Sequence, residues 1–183
     1  MHKVFAIVDL ESTGGKPADD RIMEIAIVIH DGQKIVDQYE SLINPERHIQ
    51  EFVQRLTGIK APMVEAAPKF SFLAKEIDYF THDCIFVAHN VGFDYRMVQS
   101  AFKRHKMLYK RPTLCTVKLT QALMPSSKKY SLGHLCKLLN IDNTSRHRAL
   151  GDCMATAELL HHLIKSHGID AVMDHVEGRV RTQ

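Results

Sequence analysis

Five apolar residues, Val4 to Val8, run without interruption and stop at two carboxylates, Asp9 and Glu11. A short run containing β-branched residues reads as a buried strand. Charges at the end of a buried strand are costly unless something compensates them. Residues two apart on a strand share a face, so Asp9 and Glu11 point the same way and can share a hard cation. The spacing alone carries little weight. Glu76 and Asp78 repeat it inside a helical pattern, where two residues turn through about 200° and the side chains diverge as a solvated helix face.

The rest of the chain surrounds that strand with a mixed architecture. Ser12–Asp20 is a loop by its Gly and Pro content, and Ile22–His30 is a second strand. Asp31–Gln33 is a hairpin turn, since Asp-Gly supplies the positive φ that tight hairpins need. Lys34–Ile43 is a third strand, ended by Asn44-Pro45. The period then changes. Ile49–Leu56 is a short helix closed by Gly58. Ala67–Phe80 is a helix with Phe72, Ile77 and Phe80 at helical spacing and Pro68 in its first turn. Cys84–Asn90 is a fourth, buried strand, followed by a helix beginning near Gly92. Thr113–Met124 is a brief strand running into a helix, which absorbs the clamp-peptide-like "QALMP". Beyond the basic loop Pro125–Tyr130, Ser131 N-caps a helix carrying Leu132, Leu135, Leu138 and Leu139 on one face. A second polar loop, Asp142–Arg148, leads to the last strong helix, which starts at Ala149 and closes at Gly168. No repeat or linker divides the chain, so residues 1–183 form one domain: an α/β protein with a mixed five-stranded sheet flanked by helices.

Bulk properties exclude several classes. With 45% hydrophobic and 25% charged residues the chain is an ordinary globular domain. Its 24 basic and 21 acidic residues give a net charge of +3, which permits an anionic partner without arguing for one. Cys84, Cys115, Cys136 and Cys153 show no metal or disulfide spacing and read as reduced thiols of a cytoplasmic protein. No leader and no run long enough to cross a membrane are visible. The basic stretch Lys103–Arg111 reads as a solvated helix end, whereas Ser126–Lys129 is better placed to touch a nucleic-acid strand. His161, His162 and His167 read as solvent-facing on a long helix.

Two further segments give the carboxylate pair its meaning. Asp94, in "AHNVGFD", falls in the first turn of the helix after the fourth strand. Asp152, in "HRALGD", falls in the first turns of the last strong helix, with His147 in the loop before it. Sites in α/β sheets often lie at strand ends. Four carboxylates meeting there repel one another unless cations neutralise them. Oxygen-only ligands select Mg²⁺ or Mn²⁺. Two such ions bridged by acids make the arrangement for in-line displacement at phosphorus.

"DLEST", "HNVGFD" and "HRALGD" resemble the three motifs of the DEDD exonuclease superfamily. The likeness is to the branch with a histidine in the third motif, which includes the epsilon proofreading subunit of bacterial DNA polymerase III. It runs from about Lys3 to Gly168 and takes in "INPERHI", "TGIK", "APKF", "YSLGHLCKLLNI" and "ATAELL". The resemblance implies an RNase H-like fold. It implies that Asp9, Glu11, Asp94 and Asp152 bind two divalent ions, Mg²⁺ or Mn²⁺, and that His147 is the general base. A histidine ordinarily titrates near neutral pH, which suits that task. Ser12 and Thr13 would hold the terminal 3′-OH and phosphate, Phe93 would stack on a base or pack in the core, His89 and Asn90 would contact phosphate or support the site, and Ile59 would lie near the terminal nucleotide. Ser12 stands where the family usually has a threonine, and Thr57 where epsilon-like proteins often have a histidine.

The implied activity is 3′–5′ exonucleolytic release of nucleoside 5′-monophosphates from single-stranded or frayed DNA, in proofreading with a DNA polymerase. An RNA-trimming enzyme of the oligoribonuclease or RNase T kind shares the five residues. A non-catalytic RNase H-like binding module is the reading from another class, against which the complete set of five argues. The chain ends soon after the last helix, without the tail by which epsilon-type subunits dock. A stand-alone enzyme, a differently attached proofreader and a piece of a longer chain all stay open, as does the oligomeric state.

Overall fold

The computed structural model describes residues 5–144 and 147–178; Val4, at the head of the first expected strand, and Ser145 and Arg146, in the loop before the last strong helix, lie outside the described residues. The strands are β1 (Phe5–Ser12), β2 (Ile22–His30), β3 (Ile35–Leu42), β4 (Ile85–Ala88) and β5 (Thr113–Cys115). They form one sheet in the order β3-β2-β1-β4-β5. β1–β2 and β2–β3 are antiparallel, whereas β1–β4 and β4–β5 are parallel. The hairpin joining β2 to β3 turns at Gly32, whose φ is 97°, and the Asp31 carboxylate accepts from the Gln33 and Lys34 N–H groups at 2.8 Å. This mixed sheet, with helices on both faces, is the RNase H-like arrangement expected.

Alternation along the strands divides the interior into two cores. Ala6, Val8 and Leu10 of β1 face one side, with Ile25, Ile27 and Ile29 of β2. Helices α3 (Phe70–Thr81) and α4 (Val91–Arg104) cover that side. Phe5 and Ile7 face the other side with Ala26 and Val28, beneath α5 (Thr116–Leu123), α6 (Leu132–Leu139), α7 (Ala149–His167) and α8 (Ile169–Met173). Covered on both faces, β2 is buried along its whole length, including Glu24 and His30. A third, small core of Met23, Ile49, Val53, Ile59 and Val64 seats α1 (Glu51–Thr57) and α2 (Ala61–Glu65).

Several expectations shift. The helix expected over Ala67–Phe80 starts at Phe70, so Pro68 precedes it. Its buried stripe is Phe70, Leu73, Ala74 and Ile77, while Phe72, two residues or about 200° round from Phe70, is 73% exposed. In α6 the buried residues are Leu135 and Cys136, and Leu138 is exposed. The five-residue helices α2 and α8 are too short to show a period. The basic stretch after α4 is not a simply solvated end. Arg111 donates to the Thr81 carbonyl and pairs with Asp78 at 2.5 Å, and Arg104 donates to backbone carbonyls of residues 17–20. His161 does not face solvent alone, because its Nδ1 lies 3.3 Å from Nε2 of the buried His30. Glu76 and Asp78 do diverge: Glu76 accepts from the Tyr39 hydroxyl and Asp78 from Arg111.

Leu160, wholly buried in α7 against the sheet, reports on this packing. Leu160→Ala should lower the unfolding free energy by about 2–5 kcal/mol in urea titrations.

Candidate active site

Period two puts Asp9 and Glu11 on the face of β1 that already carries Phe5 and Ile7, the face under α7. Glu11 stands directly opposite Glu24 of β2 in the antiparallel register. Parallel pairing of β1 with β4 ends at Ile7↔Val87, so the C-terminal end of β1 projects beyond its neighbour. The N-terminus of α4 fills the space beyond β4. There Asp94 is 5% exposed, and the backbone N–H groups of Asp94 and Leu10 favour its charged form against its burial.

The third motif arrives from the opposite face. Asp152 lies in the first turn of α7 and accepts from the His147 backbone N–H at 2.9 Å. His147 has φ 60°, a left-handed backbone that reverses the chain into the helix. Ligand atoms of Glu11, His147 and Asp152 all lie within 4.8 Å of one another. Asp9 and Asp94 complete the group electrostatically. Burial, then the charges of Asp94, Asp152, Glu11 and Glu24, push the Asp9 carboxyl well above its usual range. Burial followed by Asp152 and Glu24 raises Glu11 to about 7 against a pull from Arg148, and burial with Glu11 raises Asp94 to about 8.

Glu24 and Arg148 were not singled out in the sequence, and they hold the site together. The Arg148 guanidinium grips the Glu24 carboxylate, with Nε at 3.0 and 3.2 Å from its two oxygens and a terminal nitrogen at 2.6 Å. The Ala149 N–H, at the start of α7, donates to the same carboxylate at 2.9 Å. Glu24 thus fastens the N-terminus of α7, with His147 and Asp152 around it, to the strand next to Asp9 and Glu11. The available signal was a lone carboxylate within the otherwise apolar "IMEIAIVI", which demands a buried partner.

The residues expected to touch substrate are placed unequally. Asn90 is exposed at the head of α4 with φ 74°, a conformation asparagine tolerates. Phe93 is half-buried against the core and keeps some surface. Ser12 is half-buried and its hydroxyl donates to the Gly14 carbonyl at 2.6 Å. Thr13 is 2% exposed, and its hydroxyl is used within the loop by Asp20 and the Arg21 N–H. His89 has both ring nitrogens engaged at 2.9 Å, by the Thr116 hydroxyl and the Tyr130 carbonyl, so it braces the basic loop rather than offering a nitrogen to substrate. Ile59 is fully buried and offers no surface to a nucleotide. Thr57 is buried too and closes α1 through its hydroxyl.

This donor set suits a hard divalent cation. It is rich in carboxylate oxygen, and three of the carboxyls resist ionisation because of burial and mutual repulsion. The repulsion has a thermodynamic sign. A carboxyl raised in the folded state keeps its proton longer there than in the unfolded chain. Its stabilising contribution is therefore complete below about pH 4 and is lost as pH rises to about 8. Without metal, the protein should melt at a lower temperature at pH 8 than at pH 5. Mg²⁺ or Mn²⁺ should flatten that slope, and at a hundred times its Kd should add about 2.7 kcal/mol, or about 5–11 °C in a thermal melt. Glu24→Ala should cost about 1.5–3 kcal/mol in urea titrations, from the lost hydrogen bonds to a charged group. Glu24→Gln, which keeps one acceptor, should cost less.

The model of the exonuclease family that includes RNase T matches residues 6–160. The chain is 37% identical over 157 residues to the "3′-5′ exonuclease DinG" of Staphylococcus aureus (strain USA300), an alignment spanning 85% of this chain but only 18% of that relative. Among solved structures it is similar to Exonuclease X in complex with 5′ overhanging duplex DNA. That likeness has 30% identity and a TM-score of 0.76, and covers 93% of this chain and 98% of the other. It shares its fold with the nuclease domain of 3′hExo, a DEDDh family member, at 18% identity and a TM-score of 0.79, covering 91% and 94% of the two chains. Motifs, fold and relatives agree: this chain belongs to the DEDD exonuclease superfamily.

Proposed function

We propose that the chain is a metal-dependent 3′–5′ exonuclease that releases nucleoside 5′-monophosphates from single-stranded or frayed DNA ends. The observation that carries this is the meeting of Glu11, His147 and Asp152 within 4.8 Å, with Asp9 and Asp94 held alongside by independent elements. In this reading Asp9, Glu11, Asp94 and Asp152 hold two divalent ions, Mg²⁺ or Mn²⁺. When bound, such ions lower the pKa of water and stabilise charge on a leaving oxygen. His147 takes the proton of the attacking water. Asn90 and Phe93, which both keep some surface, position the terminal nucleotide.

DNA is favoured over RNA because Exonuclease X, 30% identical over nearly its whole length, was solved on DNA. RNA trimming is the second reading. Residues 1–183 act as one exonuclease domain in the cytoplasm, and among the described residues no helix is long and apolar enough to cross a membrane. Since the chain spans less than a fifth of DinG, the same domain can work joined to other machinery, and proofreading beside a DNA polymerase is one such use.

Asp9→Asn should abolish Mg²⁺-dependent hydrolysis, and His147→Ala should lower kcat by about 10²–10⁴-fold with metal binding retained. Hydrolysis surviving Asp9→Asn overturns the mechanism. Matched DNA and RNA 12-mers, labelled at the 5′ end, should show faster shortening of the DNA. Preference for RNA overturns the substrate assignment.

A further inference from the structure

A cavity of about 250 Å³ lies between the start of β2 and the end of α4, away from the acids. Arg21, Arg104, His105, Phe70, Asn44 and Glu46 are among its lining. Arg104 is ten residues past Asp94 on the same helix, about 15 Å along the axis. The carbonyls of the loop from Pro17 to Asp20 accept from both cavity-lining arginines and gather a third. Arg104 donates to the carbonyls of Pro17, Ala18 and Asp20 at 2.6, 3.1 and 3.0 Å. Arg21 donates to those of Asp19 and Asp20 at 2.5 and 3.1 Å. Arg47 also donates to the Asp19 carbonyl.

Tying down a loop explains these bonds but not the charge. Carbonyls are neutral acceptors, and each guanidinium has five N–H groups of which these bonds use a part. Among the described residues, none of the three arginines has a carboxylate within ion-pair distance. The Asp20 carboxylate is already used by the Lys16 N–H at 2.8 Å and the Thr13 hydroxyl at 3.2 Å. Glu46 is offset by Lys69 at 2.5 Å. Three guanidiniums therefore face Asp19 and Asp20; burial, then the charges of Arg21 and Arg47, hold the Arg104 pKa below the ordinary value against an upward pull from those two carboxylates. His105, stacked on Phe70 at 5.8 Å and 13°, adds a ring N–H donor at the same rim.

We propose that this cavity is a non-catalytic phosphate site, in which Arg21 and Arg104, which line it, bind a phosphate group with Arg47 beside them on the Asp19 carbonyl. Planar guanidiniums with spare donors match phosphate oxygens in geometry and charge. Two sources present that group: a backbone phosphate of the substrate strand, or free inorganic phosphate. The first rests on the exonuclease reading above. At 3.4 Å per nucleotide, 15 Å is about four nucleotides, so a strand can occupy the acids and this pocket together while a mononucleotide cannot.

The test compares the wild type with Arg47→Ala and Arg104→Gln, the latter keeping a donor for the loop carbonyls while removing the charge. Two substrates are used, a DNA 12-mer and the p-nitrophenyl ester of thymidine 5′-monophosphate, and thermal melts are run with inorganic phosphate. The expected result is about a tenfold fall in the ratio of kcat/KM for the 12-mer to that for the ester. The 12-mer's salt dependence should also weaken by about one unit of slope in each variant. A melting temperature raised by inorganic phosphate in the wild type but not in the variants, with the ratio unchanged, supports the pocket and assigns it to free phosphate. An unchanged ratio with no phosphate effect on melting overturns the proposal. Failure of the wild type to hydrolyse either substrate overturns the exonuclease reading instead, and the phosphate melt still decides the pocket.

Discussion

The grip of Arg148 and the Ala149 N–H on Glu24 joins residues 124 and 125 positions apart in the sequence, and the geometry of the acids depends on it. Asp9 and Glu11 are fixed by a strand buried in the middle of the sheet. Asp152 and His147 come from a helix that only lies against that sheet. A helix packed by apolar contacts alone can slide by fractions of a turn at small cost. A bidentate ion pair cannot, because both partners must stay in plane. Glu24 sits opposite Glu11, so the strand register that aims the D-x-E pair also aims the anchor for the helix.

The same anchor solves part of a charge problem. Glu24 adds to the negative field on Asp9 and Glu11, yet it recruits Arg148, which pulls Glu11 back toward ionisation. Among the described residues, no other side-chain cation offsets the repulsion on Asp9, Glu11 and Asp94. A fold selected only for stability would place apolar or paired residues there. Concentrating carboxylates at the projecting end of β1, with α4 entering from one sheet face and α7 from the other, makes sense if a cation is meant to complete the set.

Sequence reading recovered the parts governed by local periodicity. Period two aligned Asp9 with Glu11, Asp-Gly located the hairpin, and the breaks around "HNVGFD" and "HRALGD" placed Asp94 and Asp152 in first helical turns. Where the outcome depended on a distant partner, the reading fell short. The resemblance put Ile59 near the terminal nucleotide, and nothing local shows the small core around Met23 that buries it. His89 stood open between touching phosphate and supporting the site, because Thr116 and Tyr130, its two partners, lie 27 and 41 residues away. Arg104 looked like a solvated helix end because its carbonyl partners lie more than eighty residues back. Phe72 was misassigned to the apolar face: five residues from Ile77, it lies about 140° round the axis and off the stripe of Phe70, Leu73, Ala74 and Ile77.

Helix α4 ties these themes together. Its first turn carries Asp94 and its last turn carries Arg104, each the sign that the helix dipole favours at that end. The dipole accounts for one charge at each end, but not for Asp9 and Glu11 gathering beside the first or Arg21 and Arg47 beside the second. A polyanionic strand is repelled by carboxylates wherever cations do not mask them, and a net charge of +3 spread over the whole surface attracts it only feebly. Attraction must then be local. Loop 13–20 leaves β1 directly after the acids and ends in the carbonyls held by the arginines, so the two charge centres are fastened to each other through one short segment as well as through α4. A strand held at both would have its end pressed toward the acids by contacts that do not themselves take part in the chemistry.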